Sequence, residues 1–395
     1  MSPDAALQRS VPPRWGLDNP LVWEQIGRSH LLNPAGPELG KAEAAFLQAA
    51  RGSPMESKIW TGLADTYLQM ARFDQVETAL RTALRVSPHE PANAWRLGNA
   101  LVLAGRVQEA LPLLRVVALS DPEQRLAIYD LGWKLLESAN LVSRDIVPDD
   151  LDAKAAYLTY LIQRRPKNAT ATVWQDLRRA QHPDTIPLGY ALVDALVATE
   201  REKEATDLWN DVLESTGRGG ARPAGALMTN GDFEFDLPDA GLDWHLVKGR
   251  SWTFKLDNFI ACHGSRSLMI SFEGQSNPQF NNLWQLVIVE PSQDYLLRAC
   301  VRTDNLTSDC GFQIMADAYR VPPSESFTVT GPVHVGSETW IEDKIRFHTG
   351  PHTRMVRVWL YRAASHKLYG QLSGRVWVDN FRIERSAGSP PVRNQ

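Results

Sequence analysis

An α-solenoid joined to an antiparallel β-sandwich is the fold class that this 395-residue sequence predicts. Three observations carry it. Pro20, Pro54, Pro88 and Pro122 stand 34 residues apart, three times in succession, which is the period of a repeated helix pair. The first 222 residues are rich in Ala, Leu, Arg and Glu and read as helices, whereas from Leu227 the apolar pattern has period two with frequent Gly, Asn, Ser and Pro. The length suffices for two or three domains, each with a core of its own. The expected division is an N-terminal extension over 1–19, a solenoid over 20–216, a flexible Gly- and Arg-rich linker over 217–226, a sandwich over 227–385 and a disordered tail over 386–395.

Within the solenoid, small and large apolar residues recur in phase with the prolines. Ala42, Phe46 and Ala49 precede Pro54; Leu63, Ala64, Tyr67, Leu80 and Ala83 precede Pro88; Leu97, Gly98, Leu101, Ala110, Leu114 and Val117 precede Pro122. Small residues let two helices approach, large ones fill the seam, and proline ends the second helix because it has no amide proton to donate. A fourth unit begins in register with Ile128, Leu131, Gly132 and Leu135. Pro166 then comes 44 residues after Pro122, which places an insertion around Val147–Asp152. A last pair is expected over Leu188–Thr216, after an irregular helix over about Thr170–Gln181. Trp60, Trp95, Trp133, Trp174 and Trp209 each lie in a helical apolar period and read as packing between helices.

This half resembles a tetratricopeptide-repeat protein. The resemblance implies a concave groove for a protein partner, and Asp65, Arg96 and Asn99 are its candidate peptide-contacting residues. They do not reproduce the two-lysine clamp of chaperone-binding repeats, so no particular peptide is implied.

Strands are expected over Trp284–Val289, Tyr295–Arg302, Phe312–Tyr319, Trp340–His348, Met355–Arg362 and Arg375–Ile383, an antiparallel sandwich pattern. Alternation sorts their faces. Tyr295, Leu297, Ala299 and Val301 read as core against Arg298, Cys300 and Arg302; Phe312, Ile314, Ala316 and Ala318 against Gln313, Met315, Asp317 and Tyr319; Val356, Val358 and Leu360 against Arg357, Trp359 and Tyr361. A face that mixes aromatic rings with Arg, Asp and Gln suits a saccharide, since rings stack on the apolar side of a pyranose and planar polar groups take pairs of hydroxyls. Trp284, Arg302, Gln313, Asp317, Tyr319, Trp359 and Tyr361 are the candidate saccharide contacts. The other reading of the same residues is the solvated side of a half-exposed sheet.

In order along the chain stand Asn230-Gly-Asp-Phe-Glu234, Trp244, Gly264-Ser-Arg-Ser-Leu268, Gln285-Leu-Val-Ile-Val-Glu-Pro291 with Tyr295, Trp340 with Phe347, and Gly374-Arg-Val-Trp-Val-Asp379. This series resembles the jelly-roll carbohydrate-binding modules of the families 4, 9 and 22 type, over about Leu227–Arg385. The resemblance implies a saccharide ligand and a structural calcium held by Glu234 and Asp379. The middle acid of that calcium pattern is replaced by His263, and Asp232 is the candidate to compensate. No other cofactor is expected.

Three cysteines, Cys262, Cys300 and Cys310, form no even framework and no zinc spacing, and are expected as buried free thiols. The net charge of −4 and the lack of a basic tract exclude a nucleic-acid or anionic-membrane binder built on bulk charge. No apolar stretch reaches signal-peptide or membrane-spanning length, so the chain as written is expected in the cytoplasm, with export left to an upstream start. Nucleophile elbow, phosphate loop and zinc-protease motifs are all missing, and two non-catalytic domains account for nearly every residue. The expectation is a non-enzymatic adaptor: a solenoid holding a protein and a sandwich binding an oligo- or polysaccharide. Tetratricopeptide proteins with such a sandwich resemble accessory factors of bacterial polysaccharide assembly. The alternative is a purely structural interaction scaffold whose sandwich has no glycan ligand.

Overall fold

The structure of the chain, a computed structural model, describes residues 19–368 and 370–386. The expected N-terminal extension up to residue 18 and the tail from 387 lie outside the described residues. The chain forms two compact units, Met1–Arg164 and Arg165–Gln395.

The first unit is a succession of antiparallel helix pairs: α1 (Pro20–Leu31) with α2 (Leu39–Gly52), α3 (Ser57–Gln69) with α4 (Phe73–Val86), and α5 (Pro91–Leu103) with α6 (Val107–Ser120). The proline ladder sits where the argument from lost amide protons places it. Pro54 and Pro88 follow the ends of α2 and α4, and Pro122 opens a 3-10 turn after α6. In the fourth unit α7 (Arg125–Leu136) is followed by a short extra helix, α8 (Ala139–Asp145), and then by α9 (Leu151–Arg164), which is how the late proline is accommodated. Tyr129, Tyr157 and Tyr160 cluster between α7 and α9.

Close approach in this unit turns on Phe46, which is 1% exposed. A Cβ at Gly62 would stand 2.5 Å from its ring and one at Gly27 2.9 Å, so α1 and α3 reach the ring only as glycine. At Gly98, by contrast, a Cβ would meet nothing nearer than Leu114 at 3.5 Å. Gly62→Ala should therefore cost about 1–3 kcal/mol in urea unfolding, because the core must give way. Gly98→Ala should change stability by less than about 1 kcal/mol, since lost unfolded-state freedom compensates. Equal effects at the two positions would contradict this packing.

The second unit begins with three more helices, α10 (Ala171–Arg179), α11 (Thr185–Ala198) and α12 (Glu202–Ser215). The stretch 217–226, expected as a flexible linker, carries an ion pair from Arg218 to Asp243, whose side chains are 12% and 0% exposed. The last α-helix ends at Ser215, while the compact unit that contains the sandwich starts at Arg165.

The sandwich is built from β1 (His245–Leu246), β2 (Trp252–Asp257), β3 (Ser267–Glu273), β4 (Phe280–Ile288), β5 (Asp294–Leu306), β6 (Gln313–Ala318), β7 (Thr328–Thr330), β8 (Gly336–His348), β9 (Met355–Arg362) and β10 (Ser373–Arg385). One sheet runs β1-β4-β9-β6-β7 and the other β2-β3-β10-β5-β8, with every pairing antiparallel. Their inner faces meet in one apolar core, with Leu283, Val287, Ile314, Ala316, Val356 and Val358 on one side and Leu268, Ile270, Leu297, Val301, Val376 and Val378 on the other. Alternation therefore assigned the inward residues as expected.

One expectation is overturned. Cys262 and Cys300 are not free thiols but are joined by a disulfide, and Cys310 alone is free. Spacing in sequence hides the pair because strand register creates it. Asp379 of β10 lies opposite Cys300 of β5, and its carboxylate also accepts the amide N–H of Cys262.

Candidate functional site

The outer face of the β1-β4-β9-β6-β7 sheet collects most of the candidate saccharide residues. One row across the strands reads His245, Trp284, Trp359, Met315 and Thr330, each paired with the next. On one side of it Tyr361 stands opposite Gln313, and on the other Leu286, Arg357, Asp317 and Thr328 form a second row. Register puts Trp284, Trp359, Tyr361, Gln313 and Asp317 on this one side of the sheet, where all five are half-buried while Met315 and Leu286 of the same rows are buried. Tyr319 follows β6 on the same side, tied by its amide N–H to the Met355 carbonyl.

Arg302 does not belong to this group. It lies on β5, in the other sheet, with its guanidinium 5.7 Å over the ring of Trp377. Alternation told which side of its strand it occupies but not which sheet the strand joins, and the outward residues of β5 and β6 look alike in sequence.

The rings of the face are held by their neighbours. Trp284 stacks on His245 at 4.0 Å and 10°. The Arg357 guanidinium sits 4.6 Å over Trp359, whose other contact is the edge of Tyr361 at 5.2 Å. Arg357 in turn is gripped by Asp317 through two bonds, Nε to Oδ1 at 3.0 Å and a terminal nitrogen to Oδ2 at 2.7 Å. Asp317 is therefore a charge-assisted partner of Arg357 rather than an isolated acid. The indole Nε1 of Trp359 is buried and has no hydrogen-bond partner. Arg320 lies 5.2 Å over the Tyr319 ring and donates to the Ala198 carbonyl at 3.0 Å.

His245 and Arg357 were missing from the sequence-derived site. Arg357 is legible as the residue two before Trp359 on the same strand. His245 is not, since β1 is only two residues long.

The three acids named for calcium gather about the turn 262–266, where Glu234 and Asp379 act as caps. Glu234 accepts the amide N–H groups of Ser265 and Arg266 and the Ser265 hydroxyl. Gly264 has φ +69°, and a Cβ there would strike the Glu234 carboxylate at 2.2 Å. Asp379 is fully buried and accepts the amide N–H groups of Cys262, His263 and Asn380. Burial pushes its carboxyl up to about 6 and the charge of Asp232 adds to the shift, against the pull of those three amides. Among the described residues no group of three or more His, Cys, Asp or Glu is placed to hold an ion. As placed, Glu234 and Asp379 cap this turn through their hydrogen bonds.

In the first unit, Asp65 of α3 and Arg96 of α5 form an ion pair at 2.6 Å, both 43% exposed. Asn99 follows Arg96 by one turn on α5. Asp65 and Arg96 thus bind each other across adjacent helix pairs, as do Arg72 with Glu43 and Arg106 with Glu77. Exposed pairs of this kind contribute little to stability. Next to them, Leu68, Phe73 and Leu103 are 51%, 66% and 85% exposed, and they line a cavity of about 550 Å³ together with Val76 and Leu101.

No helix among the described residues is long and apolar enough to cross a membrane. No family model matches the chain, and no curated protein is similar to it. Solved structures are similar to its parts. The xylan-binding domain of a family 22 carbohydrate-binding module from a Paenibacillus barcinonensis protein is 11% identical over 40% of this chain and 93% of its own, with a TM-score of 0.29. An Arabidopsis tetratricopeptide domain is 17% identical over 31% of this chain and 97% of its own, with a TM-score of 0.27. YrrB, described as a tetratricopeptide protein with an unusual peptide-binding site, is 15% identical over 55% of this chain and 93% of its own, with a TM-score of 0.24.

Proposed function

We propose that the chain is a non-enzymatic adaptor whose helical repeats hold a protein partner and whose sandwich binds an oligo- or polysaccharide on the outer face of the β4-β9-β6 strands. One observation carries the saccharide half: Trp284, Trp359, Tyr361, Gln313 and Asp317 come into register on one half-buried sheet face. The apolar cavity lined by Leu68, Phe73 and Leu103 supports the protein half, since exposed apolar patches mark contact surfaces. The role in bacterial polysaccharide assembly belongs to this proposal as its biological setting.

A second reading has a specific observation behind it. His245 and Arg357 cover ring faces of Trp284 and Trp359, which is the arrangement of a packed structural surface. Calorimetric titration of the full chain against a broad panel of oligosaccharides separates the two. The saccharide reading expects heat with at least one member, weakened by about 1–3 kcal/mol in Trp359→Ala or Tyr361→Ala, with melting temperatures kept. Absence of heat across the panel leaves the scaffold reading in its place.

The proposal includes no metal. Because the carboxylates of Glu234 and Asp379 each already accept three hydrogen bonds, millimolar calcium should leave the melting temperature unchanged. A rise of several degrees, as linkage to a bound ion produces, would show that the turn reorganises around calcium.

A further inference from the structure

Trp209 of α12 is fully buried, and two separate routes lead from it to two adjacent residues of β4. The first runs through the loop before β1. Gly241 has φ +64°, and a Cβ there would fall 2.5 Å from the six-membered ring of Trp209, so this loop rests directly on the indole. The Gly241 carbonyl accepts from His245 Nε2 at 3.0 Å, and the His245 ring is the one stacked on Trp284. The second route is polar. Trp209 Nε1 donates to Thr229 Oγ1 at 3.0 Å, and Thr229 exchanges two bonds with the buried side chain of Gln285, Thr229 N to Oε1 at 3.0 Å and Nε2 to Thr229 O at 2.8 Å. Gln285 adjoins Trp284 in β4.

We propose that Trp209 is a positioning residue for the saccharide face, setting the ring of Trp284 through Gly241 and His245 and its strand through Thr229 and Gln285. The ligand-binding unit would then include the helical hairpin of α11 and α12, in keeping with a compact unit that starts at Arg165 rather than at the sandwich. A ring held from two sides keeps its orientation only while both supports stand, and a loosened support shell loosens the site. The consequence for binding rests on the saccharide reading; the positioning itself does not.

The test uses the full chain labelled with 5-fluorotryptophan, whose 13 tryptophan signals are assigned by single Trp→Phe variants. Gly241→Ala pushes a methyl group into Trp209, and the Trp284 signal should move. Trp209→Phe removes the donor to Thr229 and should move it by a smaller amount through the other route. In the double variant the smaller ring makes room for the methyl, so the combined displacement of the Trp284 signal should be less than the sum of the two. Saccharide affinity should fall roughly tenfold in Gly241→Ala and recover in part in the double variant. If the unaltered chain binds no saccharide, the saccharide reading fails while the fluorine signals still decide the positioning. A Trp284 signal that stays in place when Gly241→Ala shifts that of Trp209, or strictly additive shifts, would overturn the proposal.

Discussion

Replacing His334 with Ala should cost about 3–5 kcal/mol at pH 6, the usual loss when one partner leaves a buried ion pair. His334 is 2% exposed on the connection from β7 to β8, which crosses between the two sheets. Its Nδ1 lies 2.6 Å from Glu338 and its Nε2 3.1 Å from Asp343, itself 2% exposed. Two carboxylates on two ring nitrogens require both nitrogens to donate, which is the imidazolium form. Burial alone would pull the histidine down, but the bonds to Asp343 and Glu338 outweigh it and its pKa stands above the ordinary value. A raised folded pKa means that this stabilisation is fully present below the unfolded value of about 6.5 and is lost as pH rises through the folded value. Urea unfolding at pH 6 and pH 9 should therefore show a cost for His334→Ala that shrinks at the higher pH. A cost that is the same at both would mean that only packing was removed. Because His334 also exchanges backbone bonds with Phe312, just before Gln313, the pair anchors the start of β6 as well.

Loss of the Cys262–Cys300 bond should be the other large effect. It closes a loop with a sequence separation of 38 residues, and in the chain-entropy account a loop of that length corresponds to about 4 kcal/mol, of which roughly 2–4 is usually realised. Reduction with a thiol reagent, or Cys262→Ser with Cys300→Ser, should lower unfolding stability by that amount. Thiol titration of the unfolded, unreduced chain should find one reactive group, Cys310. Three reactive thiols would restore the free-thiol expectation. A structural disulfide persists in oxidising compartments. The cytoplasmic expectation and this bond thus point in different directions, and the thiol count bears on both.

What the sequence made legible, and what it hid, follows from the range of the forces involved. Helix termination is local, so Pro54, Pro88 and Pro122 mark the ends of α2, α4 and α6, and the late Pro166 signals an insertion, although the extra helix α8 lies at Ala139–Asp145, ahead of the expected Val147–Asp152. Inward alternation is also local, so β4, β5, β6, β8, β9 and β10 are legible with their core residues sorted, whereas β2 and β3, no shorter than β6, are not among the expected strands. Short strands such as His245–Leu246 and Thr328–Thr330 carry too few residues for a period, and His245 went unnoticed with them. Facts that depend on which strand neighbours which were hidden. Arg302 was grouped with Gln313 and Asp317 although it lies on the other sheet, Cys262 meets Cys300 only through β10, and Trp209 was read as helix packing although its indole also supports the sandwich. The groove residues show a related limit: Asp65 and Arg96 are candidate peptide contacts in sequence, and the register of adjacent helix pairs joins them to each other.

The saccharide face is the central claim, and the Trp359 indole is its most direct reporter, because its buried Nε1 lacks a partner and its ring lies between Arg357 and Tyr361. The decisive measurement is the nitrogen-15 spectrum of the indole N–H groups while the full chain is titrated with the panel of oligosaccharides. The account predicts that a binding saccharide shifts the signals of Trp284 and Trp359 and leaves those of Trp174 and Trp377, buried elsewhere, in place. Signals of Trp284 and Trp359 that stay fixed at saturating concentrations of every member of the panel would contradict it.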